Sequence, residues 1–290
     1  MEPPGQSRIP TRNRRRTLDW GLVLLSQGIA ATIDDGADGA GWALWVPTEE
    51  YPAALEAIRL YQTENRHWRW RQPGAWRGFR FDWKVSLWAL LLVAVHLANR
   101  SWRPEFRLLG RMDNAAVRLG QWWRIFTAML LHVDAAHLAS NVVFGVIFLG
   151  LAMGRFGSGV GLLASYLAGA AGNVAGLLFY PAPHFGVGAS GMVMGGLGLL
   201  AAQSIPRLRY AFLGRKQALQ GLMAAVMLLV LFGLSPETDV LAHCAGFGAG
   251  LLLGTLWLHA PRRWQTGKTD TAAALLFAGL LVATGWRACR

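Results

Sequence analysis

Four polar side chains stand inside apolar stretches of the chain, where polar groups are costly: His137, Asn141, Ser190 and His243. Such residues in membrane-length segments mark function by default. A serine with a histidine suggests nucleophilic catalysis. A serine hydroxyl attacks a carbonyl poorly unless a base takes its proton, which requires Oγ and an imidazole nitrogen within ~2.6–3.2 Å. The oxyanion formed by that attack needs preorganised donors. The neighbouring residues permit a close approach. Gly188-Ala189-Ser190-Gly191 is followed by Gly195, and His243 is followed by Gly246 and Gly250. Small residues four apart let two helix backbones come together. His137 and Asn141 are also four apart, so they share a helix face. Taken singly, a lone serine is more often a packing residue and a lone asparagine a helix-to-helix glue. Their joint placement is what carries the reading.

The elements that must position them are seven apolar segments: 85–98, 137–154, 159–180, 187–203, 217–234, 239–258 and 271–285. A membrane span needs ~20 residues. The first and last are short, and Trp83, Lys84, Trp286 and Arg287 extend them by snorkelling. The second, fourth and sixth segments all start on one side of the membrane. Their polar residues therefore fall at one level, in the first half of each span. Ser190 follows Gly186 by ~6 Å of helix, and His243 follows Pro236 by ~10 Å. Gly169, Gly172 and Gly176 read as packing notches in the third span, and His96 as a structural residue near the outer rim. Asp239 reads as a cap at the start of the sixth span, together with Ser235, Glu237 and Thr238. No buried acid then remains beside His243, which predicts a two-residue dyad. With the N-terminus inside, inner segments carry 19 Lys and Arg against 8 outside, which favours that orientation. The loop 99–136 breaks the trend. Its length and apolar stretches predict a functional loop partly sunk in the interface.

Composition excludes several classes. Of 290 residues 53% are hydrophobic and 15% charged, with net charge +12. Soluble domains carry about a quarter charged residues, so a soluble enzyme does not fit. Cys244 and Cys289 are the only cysteines, which excludes a disulfide scaffold or a cysteine-rich zinc site. No HExxH run occurs, and the spacing of His132 and His137 predicts different helix faces, so no metal is expected. Gly246-Phe247-Gly248 lies in a span without a preceding strand and is no nucleotide loop. No cofactor is expected. The first seventeen residues are polar and basic, without the apolar core of a cleavable signal. Residues 18–66 predict a small soluble α+β module, with a helix over Leu18–Ile29, strands at Ala31–Ile33 and Trp42–Val46, and a helix over Thr48–Thr63. Residues 67–83 are dense in Trp and Arg. That mixture can bind nucleic acid, but the apolar block that follows favours a membrane-interface belt and no nucleic-acid partner.

These residues are where the chain resembles the rhomboid family of intramembrane serine proteases. The resemblance rests on Trp123-Arg124, His132, His137-x-x-x-Asn141, Gly188-Ala189-Ser190-Gly191 and Ala242-His243-x-x-Gly246-x-x-x-Gly250. It covers about residues 83–258 and implies an all-α polytopic membrane protein; the N-terminal module lies outside it, and the chain then reads in three parts. Residues 1–82 form the N-terminal module and basic, aromatic interface segment. Residues 83–258 form a six-span, rhomboid-like catalytic core. Residues 259–290 form an inner loop and a seventh, C-terminal span. It also implies roles: Ser190 as nucleophile, His243 as base and then acid, and His137 and Asn141 with the Ser190 backbone N–H as oxyanion donors. Arg124 would shape the outer loop. The implied activity is a serine endopeptidase that cleaves single-span or polytopic membrane proteins in or next to their transmembrane helices, near the outer face. The alternative is a catalytically weak or inactive relative that binds membrane clients. The expected location is a cell membrane, multi-pass, of bacterial inner-membrane type, with the N-terminus cytoplasmic. Two positions depart from the family pattern. Gln121 stands where many members have Glu, and Met194 where many have a Tyr stacked on the catalytic histidine.

Overall fold

The computed structural model describes residues 4–35, 41–65, 80–101, 105–209, 212–234 and 238–290. It comprises two compact units, Met1–Arg77 and Gly78–Arg290. Most of the Trp/Arg-dense segment expected at the membrane interface lies outside the described residues, as do Ser235, Pro236 and Glu237.

The first unit orders β1 (Gln6–Pro10), α1 (Arg14–Ser26), β2 (Thr32–Asp34), β3 (Ala43–Pro47) and α2 (Tyr51–Glu64). Its antiparallel sheet runs β1-β3-β2, with Leu44 of β3 opposite Ile9 on one side and Ile33 on the other. The helices cover a small core of Ile9, Leu24, Leu44, Val46, Ala54 and Ile58. The first helix starts four residues before Leu18 because the Asn13 side chain accepts from the Arg16 N–H and caps it. Strand β1 was not anticipated. Only Ile9 of its five residues is buried, so it has no alternating apolar signature and is held by pairing.

The second unit is mostly helical: α3 (Val85–Ser101), α4 (Glu105–Gly110), β4 (Met112–Asp113), α5 (Asn114–Arg118), α6 (Arg124–Thr127), α7 (Ala135–Phe156), α8 (Ser158–Phe179), β5 (Phe185–Gly186), α9 (Ser190–Ala202), α10 (Phe212–Gly233), α11 (Val240–His259) and α12 (Gly267–Ala288). Five of these helices are long and apolar enough to cross a membrane: α7, α8, α10, α11 and α12. The chain is a multi-pass membrane protein. Helix α3 is apolar but shorter. Helix α9 has 13 residues, which is ~20 Å against a hydrocarbon core of ~30 Å. It is apolar on every side, and every residue from Gly191 to Leu199 is buried. A helix of that kind belongs inside a bundle, not against lipid.

Close packing around α9 follows from glycine. A Cβ on Gly246 would sit 2.4 Å from the Gly191 carbonyl oxygen, and one on Gly250 would sit 2.0 Å from that of Gly195. A Cβ on Gly169 would lie 2.8 Å from the Met192 nitrogen, and one on Gly172 2.5 Å from the Ala242 oxygen. Helices α8, α9 and α11 thus touch backbone to backbone. Gly176 is no such notch, since its nearest neighbour would be the Tyr180 ring at 3.6 Å. The last helix is longer than the apolar run 271–285, because Thr266 caps it. Its Asp270 reaches across to α8 and accepts from the Gly159 and Val160 N–H groups at 2.8 and 3.0 Å. One carboxylate therefore caps a neighbouring helix and fastens α12 to the bundle.

Candidate active site

Ser190 is the first residue of α9, not one turn inside a span as its distance from Gly186 suggested. The chain arrives extended through β5 and turns at Gly188, whose φ is +133°. Only glycine adopts that conformation readily. The N–H groups of Ser190, Gly191 and Met192 precede the first helical bond, Val193 N–H to the Ala189 carbonyl. A helix start of this kind presents free donors and a positive dipole end.

The Ser190 Oγ lies 2.6 Å from His243 Nε2. The other ring nitrogen, Nδ1, lies 2.7 Å from the Gly233 carbonyl oxygen. A carbonyl can only accept, so Nδ1 carries the proton and Nε2 is left to accept from the serine. His243 is 2% exposed, and its backbone N–H bonds the Asp239 carbonyl in the first turn of α11. Asp239 does cap that helix, with its side chain accepting from the Ala242 N–H at 2.9 Å. Gly233 was not foreseen. The last carbonyls of a helix have no partner within it, and Gly233 closes α10, but a sequence does not show which of them a ring will meet. Met194 is buried in α9. Among the described residues no aromatic ring packs on His243, so the Gly233 carbonyl sets the orientation of the imidazole.

The second pair sits differently. Asp134 caps α7 and places His137 in its first turn. A Cβ on Gly188 would lie 2.8 Å from His137 Nε2 and 3.8 Å from Ser190 Oγ. The glycine thus lets the His137 imidazole edge lie against the backbone just ahead of the Ser190 hydroxyl. Asn141 is 4% exposed. It donates Nδ2 to the His137 carbonyl at 2.8 Å, which uses one of its two amide protons. His132 is not on α7. It precedes the helix, and its ring packs edge-on against His137, with centroids 5.2 Å apart. The different-helix-faces premise therefore fails, although no metal-binding cluster of three His, Cys, Asp or Glu occurs among the described residues. His132 is 2% exposed, with neither nitrogen hydrogen-bonded. Burial, aided by the imidazoles of His137 and His96, pushes its pKa down to about 3.

The described part of loop 99–136 carries short helices and a strand, and it holds the segment that leads to Ser190. Strand β4 pairs with β5, with Met112 opposite Gly186. The Gly188 N–H donates to the Ala128 carbonyl at 3.0 Å. Arg124 is 7% exposed and donates to the Leu108 and Arg111 carbonyls at 2.8 and 2.9 Å. Its Nε donates to Gln121 Oε1 at 2.6 Å, so the acceptor is a neutral amide oxygen. Two unforeseen asparagines fasten the loop to α8. Asn114 donates to the Gly176 carbonyl, and Asn173 to that of Ile125.

Comparison with known proteins places most of the second unit in one family. Residues 119–260 match the Rhomboid domain family, a span that includes Gln121, Arg124, both candidate oxyanion donors, Ser190 and His243. The chain is 31% identical over 201 residues to Rhomboid protease GluP of Bacillus subtilis, covering 67% of this chain and 38% of that protein. It is 31% identical over 157 residues to RHOMBOID-like protein 1 of Arabidopsis thaliana, covering 53% of this chain and 39% of that one. It is 26% identical over 208 residues to Rhomboid-like protease 3 of Toxoplasma gondii, covering 69% and 78%. The chain thus spans about two fifths of the length of the first two relatives. With the matching domain spread over the helices that carry these side chains, the chain belongs to the rhomboid family.

Proposed function

We propose that the protein is an intramembrane serine endopeptidase that uses Ser190 and His243 as a dyad. The observation that carries this reading is the 2.6 Å contact from Ser190 Oγ to His243 Nε2, with Nδ1 held by the Gly233 carbonyl. In this reading Oγ attacks the scissile carbonyl carbon while Nε2 takes the hydroxyl proton. The imidazolium keeps its Nδ1–H on Gly233. The oxyanion forms beside Ser190, with the Ser190 N–H, the α9 dipole, His137 and the free amide proton of Asn141 as its proposed donors. Collapse breaks the C–N bond as Nε2 returns the proton to the leaving amine. Water then attacks the acyl carbon as it loses a proton to Nε2, and collapse breaks the bond to Oγ as Nε2 returns that proton to Ser190, which frees the acid product. Access of water favours cleavage near the outer face, in substrates that are membrane proteins. The excess of Lys and Arg in the inner segments supports a cytoplasmic N-terminus, and the high Arg and Gly content is in keeping with a bacterial type of inner membrane. Residues 1–82, 83–258 and 259–290 would then serve as appendage, catalytic core and C-terminal span.

The test uses purified protein in liposomes with a single-span test substrate. Wild type should cleave it, while Ser190→Ala and His243→Ala, folded alike, should not. Cleavage that survives Ser190→Ala would sink the mechanism. Silence from all three, with substrate still bound, would favour the client-binding alternative.

A further inference from the structure

Three side chains outside the dyad meet above it. Tyr180 follows the end of α8, and its hydroxyl donates to Asp239 Oδ1 at 3.1 Å. His184 Nε2 lies 3.5 Å from Asp239 Oδ2. The Tyr180 and His184 rings pack on each other, with centroids 4.3 Å apart and planes 34° apart. None of the three is fully exposed; the His184 and Asp239 side chains are 29% and 31% accessible. Their positions give the contact its meaning. Asp239 caps α11 and bonds the backbone of His243 through its own carbonyl. His184 stands at the entry to β5, six residues before Ser190, and its carbonyl accepts from the Asn114 N–H at 3.2 Å. One carboxylate therefore links the start of the helix that bears the base to the strand that delivers the nucleophile.

We propose that Asp239, Tyr180 and His184 form a clasp that sets the distance between Ser190 and His243, making all three positioning residues for the dyad. The proposal rests on the protease reading above. The 2.6 Å contact joins two separate elements, α9 and α11. Helix packing fixes the axes of those elements, but the hydroxyl and the imidazole both sit in first turns, where helices fray. An error of an ångström there takes the pair out of proton-transfer range. The clasp acts at that level. Asp239 supplies two acceptor oxygens with separate uses, one for the cap and Tyr180 and the other for His184. None of the three touches the reacting atoms.

The experiment measures the rate at which a fluorophosphonate labels Ser190 in the full-length protein in detergent, beside kcat and KM for a single-span substrate. Tyr180→Phe removes only the hydroxyl. His184→Ala removes the ring and its contact with Asp239. Asp239→Asn keeps the cap, since asparagine also caps well, and keeps an acceptor for Tyr180, but loses the anionic oxygen facing His184. Each should lower the labelling rate and kcat about 3- to 10-fold, with KM within about twofold and the melting temperature nearly unchanged. The double variant Tyr180→Phe/His184→Ala should fall short of the product of the single effects, because both act through Asp239. Labelling at the wild-type rate by all three would overturn the clasp while leaving the dyad intact. Loss of melting temperature in proportion to rate would reduce it to a packing contact and overturn it as well. Wild type that fails to label at Ser190 at all would overturn the protease reading, and the clasp with it.

Discussion

At the scale of single residues, the site depends on side chains given only one workable arrangement. The His243 tautomer is fixed by a carbonyl that cannot donate, so Nε2 is always the nitrogen offered to Ser190. Asn141 lies one helical turn from His137, with its amide bonded to the His137 carbonyl, and an oxyanion donor of the kind proposed for it is worth ~10²–10³ in rate. Asn141→Ala should therefore slow cleavage by at least about tenfold in a folded protein, read from kcat in liposomes. An unchanged kcat would remove Asn141 from that role. Arg124 braces the loop between α3 and α7. Burial draws its pKa below the ordinary value, and its side chain meets neutral acceptors at Gln121, Leu108 and Arg111. Gln121→Glu would turn one of these contacts into a charge-assisted bond. It should raise stability by about 1 kcal/mol, visible as a higher melting temperature with unchanged KM.

At the scale of elements, two backbones must nearly touch for the dyad to form. A methyl group on Gly250 would stand 2.0 Å from the Gly195 carbonyl oxygen, so Gly250→Ala must wedge α11 from α9. Overpacking of this kind costs about 1–3 kcal/mol. Cleavage should fall more steeply than stability, because the wedge opens on the Ser190–His243 axis. A variant with full activity would show that α9 and α11 need no such approach. The glycine spacing made this contact legible in the sequence, since small residues four apart on two spans signal backbone approach. The depth of Ser190 was not legible. Helix α9 is apolar through its whole length, so nothing in composition marks where the extended entry ends and the helix begins. The Asp270 carboxylate ties helix α12 to the first turn of α8. Asp270→Ala should cost about 1–3 kcal/mol through two unsatisfied N–H groups, measured by denaturation in mild detergent.

At the scale of the whole molecule, the family motifs and the apolar segments predicted the polytopic helical protein and the meeting of Ser190 with His243. Contacts made through backbone were hidden: the Gly233 carbonyl, the pairing of β4 with β5, and β1 with its single buried isoleucine. Backbone groups are alike at every position, so only the folded chain shows which one is used. One buried group links the fold to pH. The pKa of His132 is about 3 in the folded protein, against ~6.5 in an unfolded chain. Below pH ~6.5 the unfolded chain therefore binds a proton that the native state refuses. Stability from this residue is complete above that pH and is lost on acidification toward pH 3, by at most ~1.4 kcal/mol per unit. His132→Leu should flatten the acid limb of a melting-temperature profile; an unchanged limb would show that His132 titrates normally. The central claim is that His243 activates Ser190, and the most direct test is intact mass and peptide mapping after a fluorophosphonate treatment at neutral pH. Wild type should carry one adduct, on Ser190, and His243→Ala should carry none over the same time. An adduct on another residue, or equal labelling of Ser190 without His243, would contradict the account.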